Sequence, residues 1–484
     1  MIVRLSMARF VLGVVAAAVG ERTTVAATTD GEGAGGAPIA GAKQVAAAFG
    51  TTPAVAAQPL DLQLQPPRPP ERGLMRGDRL AVPVGESLAT NLVIMEWNRT
   101  VGDASWAEVT ASSVGRNIRS AWVLDDDGFW VNQFGHSYQG TWAFTAARSS
   151  GIGFWGSAPF AVGSSALWEL AGETTPASIN DQVTTSVAGV VFGEILYRFA
   201  GALRAEGGDF NEVLASVLAP IGALNRQLLG TSQTIRAPPS RWRLGAGAAA
   251  YGAPDPSRGR PVAYGAVSFT YGLPGGDGLE IDEPFDHFVV DLAWTASSDP
   301  AASLLARGLL AGATFDADRA RGLWGAYLSF DFDTPPRHRI STSALGFGGS
   351  ARAELGAGLA LEGDAIASAV LLGAGGSIPR VPGGAGRDYR YGPGQQALLG
   401  VRLLVGSRVT AGIELRQYLL LCANGETGTE QLLHGTASAS VRLFGASGIG
   451  LELSRYLRRA EVQGATVRET DSAMRVYFML RGGA

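Results

Sequence analysis

The sequence predicts an all-β transmembrane β-barrel of about 12 antiparallel strands carrying an inserted helical subdomain, and three observations lead there. From Arg241 to the end, apolar residues alternate with small or polar ones in segments separated by Gly, Pro and Asp clusters. These segments are rich in glycine and place Trp, Tyr and Phe near their ends, as the interfacial girdles of a barrel require. Met1–Gly20 sets Arg4 and Arg9 ahead of the apolar run FVLGVVAAAVG, the layout of a secretory signal peptide too short to span a bilayer. A soluble β-sandwich would also alternate. The export signal, the glycines and the terminal aromatics favour the membrane barrel.

In chain order, residues 1–27 are expected to be the signal peptide, cleaved near Ala18 or at Val25-Ala26-Ala27. Residues 28–79, built of Ala, Gly, Thr, Gln and Pro and ending in PPRPPERG, lack periodicity and predict a disordered tether. In residues 80–131, Leu88, Leu92 and Ile94 fit a period of two, and Ile118–Val123 makes a second short run, so this stretch is expected to supply the first barrel strands. Residues 132–230 change to helical spacing. Phe134–Arg148 puts His136, Gly140, Phe144 and Ala147 on one stripe, and Ser164–Gly172 places Glu169 one turn before Glu173. Pro176 then precedes Ser178-Ile-Asn-Asp181, a capping box, after which Val183, Val187, Val190, Val191 and Ile195 recur at helical spacing. Gly189 and Gly193 lie one turn apart and allow close approach of another backbone. Phe210–Leu229 reads as a further helix that ends at Gly230.

Pro238-Pro239 breaks the pattern, and residues 231–484 are expected to hold the main barrel strands. Phe288, Val290, Leu292 and Trp294 share one face; Trp324 to Phe332, Val409 to Leu415 and Met474 to Leu480 repeat the alternation. Roughly ten to twelve such segments follow Arg241, and the early strands would complete an even number. Gly, Pro and Asp clusters such as Pro254–Pro261, Leu273–Pro284 and Pro379–Pro393 separate the strands, and the longer of these are expected to form extracellular loops.

The 484-residue chain carries a formal net charge of -4, which supplies no basic field for nucleic acid. Cys422 is the one cysteine, so an internal disulfide and a multi-cysteine metal site are excluded. The expected location is the Gram-negative outer membrane, with outer-membrane lipid as the surroundings and no cofactor or resident metal; the oligomeric state stays open.

The helical segment also carries a resemblance. NQFGHSYQG (132–140), AARSSG (146–151), GSSALWE (163–169), E-x-x-PASIND (173–181) and GxxxGE (189–194) are similar, in order and density, to the signature of the bacterial family of domain of unknown function 3943. Ser137 stands where that pattern has Pro, and Ser150 where it has Asn. The resemblance implies an envelope protein without an established activity.

Within this segment, His136 with Glu169, Glu173 or Asp181 has the groups for acid–base catalysis on lipid or envelope glycan, because a carboxylate on one imidazole nitrogen frees the other for proton transfer. The same residues, or Asp125-Asp126-Asp127, supply oxygen ligands for a cation, without a spacing that makes such a site specific. The alternative is a buried polar network of Asn132, Arg148, Ser178, Glu194 and Arg198 with no turnover, Glu194 and Arg198 forming an intrahelical pair. Trp142, Trp155 and Trp168 read as packing, and His287, His338 and His434 receive no role. The expected function is a structural or transport-related envelope barrel whose helices plug the lumen or cap its mouth. A membrane-embedded enzyme and a surface-loop binding module are the alternatives.

Overall fold

The computed structural model describes residues 77–125, 127–230, 238–252, 261–296, 301–377, 389–423, 427–462 and 465–483. The expected signal peptide and nearly all of the expected tether lie outside these residues. So do most of the clusters noted at 254–261 and 379–393.

Helices come first. They are α1 Gly77–Thr100, α2 Ala111–Arg119, α3 His136–Ser149, α4 Phe154–Ala171, α5 Ile179–Glu206, α6 Asp209–Leu218 and α7 Pro220–Leu229, with a π-helical turn, Val131–Gly135, leading into α3. The stretch expected to give the first strands is therefore helical, and 77–79, assigned to the tether, opens α1. The cause is visible in the spacing: Val84, Leu88 and Leu92 are four apart, a separation common to a strand face and a helix face, and α1 turns Pro83, Ser87 and Asn91 inward instead. Thr110 caps α2 by accepting from Ser113 N at 3.1 Å while Ser113 Oγ accepts from Thr110 N at 2.9 Å.

Twelve strands follow: β1 Ser240–Gly252, β2 Val262–Tyr271, β3 Phe288–Ala296, β4 Ala302–Ala317, β5 Ala320–Asp333, β6 His338–Gly356, β7 Leu359–Ser377, β8 Tyr389–Val405, β9 Val409–Cys422, β10 Gly428–Phe444, β11 Ser447–Val462 and β12 Ala465–Gly483. Each pairs antiparallel with its sequence neighbours, and β1 closes the ring on β12 with Arg241 opposite Gly483. The helical region thus precedes the whole barrel and is not inserted among its strands. One end of the barrel has the short turns at 318–319, 357–358 and 445–446 together with the start of β1 and the end of β12. The β2–β3 connection, expected outside the cell, lies at that same end. It folds into the barrel, where Leu279 and Ile281 pack with Leu309, Leu323, Tyr327 and Ile366.

Lumen and exterior alternate as the period-two pattern requires. Thr270, Val289 and Asp331 line internal cavities, and their neighbours Tyr271, Phe288, Phe330 and Phe332 point outward. Those outward rings form one core with Phe144, Phe154, Val191, Phe192 and Ile195 of the helices, to which Tyr389 and Tyr391 of β8 also belong. The bundle therefore docks against the outer wall between β2 and β8, and it neither plugs the lumen nor caps its mouth. The strand exteriors offer apolar surface to the helices, whereas the lumen is polar and already crossed. Arg241 of β1 reaches Glu362 of β7, on the opposite side of the ring, through two bonds of 3.0 Å, and Arg402 of β8 joins at 3.2 Å. Between such bridges lies a cavity of about 740 Å³.

Candidate functional site

The predicted polar residues fall into two groups on α5. The first gathers at its N-terminus. Ser178 Oγ accepts from Asp181 N at 3.2 Å, as the capping box predicts, but the reciprocal bond to Ser178 N is made by Glu169 Oε2 at 2.7 Å. Asp181 is thereby left for other partners. Val123 and Ser178 form a parallel bridge, with Val123 N donating to Ala177 O at 2.9 Å and Ile179 N to Val123 O at 2.8 Å, which brings Asp125 alongside. Asn180 Nδ2 then donates to Asp125 Oδ1 at 3.0 Å and to Asp181 Oδ1 at 2.9 Å, and Asn180 Oδ1 accepts from Asp125 N.

His136, the first residue of α3, stands with Nε2 3.6 Å from Asp181 Oδ2. Burial, followed by the hydrogen bond and charge of Asp125, holds the Asp181 carboxyl well above the ordinary range. For Asp125 burial acts in the same direction, but the hydrogen bonds from Asp181, Asn180 and Asn132 outweigh it and lower its pKa. The two shifts run in opposite directions, so Asp181 holds its proton more tightly than Asp125 does. Glu173 contributes its backbone, whose carbonyl accepts from Asn117 Nδ2 at 3.1 Å. No group of three or more His, Cys, Asp or Glu among the described residues is arranged to hold a metal ion.

This group opens onto the barrel wall. Asn132 Nδ2 donates to Asp125 Oδ1 and to the hydroxyls of Tyr389 (3.0 Å) and Tyr391 (3.2 Å), Gln133 Nε2 donates to Tyr391 Oη at 2.9 Å, and Tyr389 Oη donates to Asp127 O at 2.6 Å. The two tyrosines begin β8, more than 250 residues beyond the motif, so no local spacing announces them.

The second group lies thirteen residues further along α5, about 20 Å away on a helix. Glu194, fully buried, receives Arg148 Nε at 2.7 Å and Nη2 at 2.9 Å and, as the intrahelical pairing predicts, Arg198 Nε at 2.7 Å. Arg198 continues to Asp286 Oδ1 at 2.9 Å and Pro284 O at 2.7 Å in the β2–β3 connection. Close contact of α3 and α5 makes this possible. A Cβ on Gly189 would stand 2.7 Å from Gly140 Cα, and one on Gly140 would stand 2.1 Å from Thr185 O.

Inside the barrel, His338 and His434, given no role by sequence, meet with Nε2 atoms 3.1 Å apart, and His434 Nδ1 lies 3.1 Å from Asp333 Oδ2. They are 96 residues apart on different strands, and only the shared lumen-facing phase of β6 and β10 relates them.

Against known proteins, the profile of the family described as "Domain of unknown function (DUF3943)" matches residues 121–221. No curated protein matches the chain. Among solved structures, the outer membrane protein Omp33 of Acinetobacter baumannii aligns at 9% identity over 51% of this chain and 100% of its own, TM-score 0.21. The TodX monoaromatic hydrocarbon channel aligns at 8% over 52% and 91%, TM-score 0.21. The translocator domain of the autotransporter NalP from Neisseria meningitidis aligns at 13% over 54% and 95%, TM-score 0.24.

Proposed function

Residues 121–221 of this chain match the DUF3943 family model, and from that premise we propose that the protein is an outer-membrane β-barrel with a structural envelope role. In this reading the family motif is a clamp that holds a helical bundle to the outer wall. The observation that carries it is where the motif side chains end. Asn132 and Gln133 bond Tyr389 and Tyr391 of β8, and the Arg148–Glu194–Arg198 group bonds the β2–β3 connection. The hydrogen bonds of both groups run between elements of the same protein, and the lumen is bridged by Arg241 and Glu362, which supports a sealed scaffold over an open pore.

The test is limited proteolysis of the detergent-refolded protein carrying Asn132→Ala, Gln133→Ala, Tyr389→Phe and Tyr391→Phe together. The helices should become cleavable while the barrel keeps its heat-modifiable gel mobility. Helices as resistant as wild type would overturn the clamp.

A membrane-embedded enzyme is the second reading, favoured by His136 standing 3.6 Å from Asp181, whose carboxyl burial and Asp125 hold above its ordinary range. Envelope lipids and glycans unchanged in a strain producing His136→Ala at normal levels would remove it.

A further inference from the structure

We propose that the outward faces of α1 and α4 are lipid-facing, so that the helical bundle sits in the same bilayer as the barrel and packs beside it. The proposal rests on the reading of the barrel as a membrane barrel. Its first ground is an inverted polarity. α1 turns Ser87 and Asn91 inward and leaves Val84, Leu88, Leu92, Val93 and Trp97 outside, the reverse of a helix packed in water. α4 buries Ser157, Ser164, Ser165 and Glu169 beside Phe154, Ala161 and Trp168, and still exposes Trp155, Val162 and Leu167. Buried hydroxyls that bond back to the preceding turn, as Ser87 to Pro83 O and Thr145 to Thr141 O do, and glycines at the α3–α5 contact are how helices associate where lipid removes the hydrophobic drive.

The second ground is the absence of charge from this face. Between Arg79 and Glu96 the one charged residue of α1 is Glu86, which accepts from Asn225 of α7. α4 has Glu169 alone, buried against Ser178. The two helices touch through Asn91 Nδ2 and Ser164 O, at 3.0 Å. The sixteen residues from Leu80 to Met95 make a helix of about 24 Å, the height of the apolar band of an outer-membrane barrel.

The third ground is continuity with the barrel's own apolar exterior. On β7, Leu371 is exposed while Leu372 packs against the bundle; on β5, Trp324 is exposed and Leu328, four residues on, packs against it. The edge of the bundle therefore borders the barrel surface that lipid covers. Val93 at 64% and Trp155 at 63% are as open as Ile413 of β9 at 61%. Acyl chains are the occupant that fits all three observations.

The experiment uses full-length protein in phosphatidylethanolamine–phosphatidylglycerol vesicles, with Cys422→Ser and one spin-labelled cysteine at a time: Leu88→Cys, Val162→Cys, and Ile413→Cys as the barrel reference. Oxygen should reach labels 88 and 162 more readily than a water-soluble nickel chelate does, in the ratio found at 413. Nickel access that dominates at 88 and 162 while 413 reads lipid would place the bundle outside the bilayer and overturn the proposal. Shielding of both labels from both reagents would do the same, pointing to a protein partner or a second copy. A water-like ratio at 413 itself would instead overturn the membrane-barrel reading beneath it.

Discussion

Replacing Glu194 by alanine should be among the most destructive single changes outside the barrel. The carboxylate is fully buried and takes two bonds from Arg148 and one from Arg198, so its loss leaves two guanidinium groups facing each other without their shared counter-charge. Arg198 retains Asp286 and the carbonyl of Pro284, and Arg148 retains the carbonyl of Ile152, which spares part of the cost. Breaking a buried pair from one side costs about 3–5 kcal/mol. For a folding unit the size of the bundle this lowers the melting temperature by roughly 6–20 °C, at about 2–4 °C per kcal/mol. Thermal melting in detergent, read by tryptophan fluorescence beside heat-modifiable mobility as a separate reporter of the barrel, measures it. The triple variant Glu194→Leu, Arg148→Met, Arg198→Met should recover most of the loss, since no charge then remains buried. A Glu194→Ala bundle melting within about 1 kcal/mol of wild type would refute the buried triad.

Three further outcomes are expected. Gly189→Ala should destabilise the bundle by about 1–3 kcal/mol or more, because the new methyl meets the backbone of Gly140, whereas Gly163→Ala, with nothing within 4 Å, should be neutral or stabilising; chemical denaturation of the two compares them directly. Asp181, whose pKa is raised in the fold, contributes stability that is intact below the ordinary carboxylate range and lost as pH rises through its elevated value. Asp181→Asn should therefore abolish a decline in melting temperature that sets in as pH rises above the ordinary carboxylate range, and parallel pH profiles for the two proteins would contradict the raised Asp181 carboxyl. Wild-type protein should show little conductance in planar bilayers, and Arg241→Ala with Glu362→Ala should raise it, because these residues meet across the lumen; identical conductance would mean that the barrier lies elsewhere.

The sequence made the strands legible for a simple reason: alternation along β3, β5, β9 and β12 reports two different surroundings, lumen and exterior, and only a sheet has that period. The cap at Ser178 and the Glu194–Arg198 pair were legible because both are local. What covers the exterior was not. Phe330 and Phe332 would be the same residues whether they met acyl chains or Phe192 and Phe129, so outward apolarity does not distinguish lipid from helix. α1 was lost for a related reason. Its apolar residues face outward at a spacing that a strand shares, and the polar row that packs inward carries no hydrophobic signal. Tyr389 and Tyr391 entered the site through tertiary pairing across most of the chain, which no window of sequence contains.

The order of the chain gives the docking of the bundle a consequence for biogenesis. The helices precede every strand they rest on, so on the outer-membrane reading Phe129, Phe154 and Phe192 are exported ahead of Phe332, Phe285 and Phe330, the rings that finally meet them. Dependence between the two parts is accordingly one-sided. A barrel deprived of its helices would present Phe288, Phe330 and Phe332 to lipid, where aromatic rings are at ease, but helices that have not yet reached the barrel and its bilayer would present the same kind of surface to water. On that reading the part of the polypeptide that comes first has to wait for the part that comes later, and escorts in the periplasm would need to hold it until the ring closes.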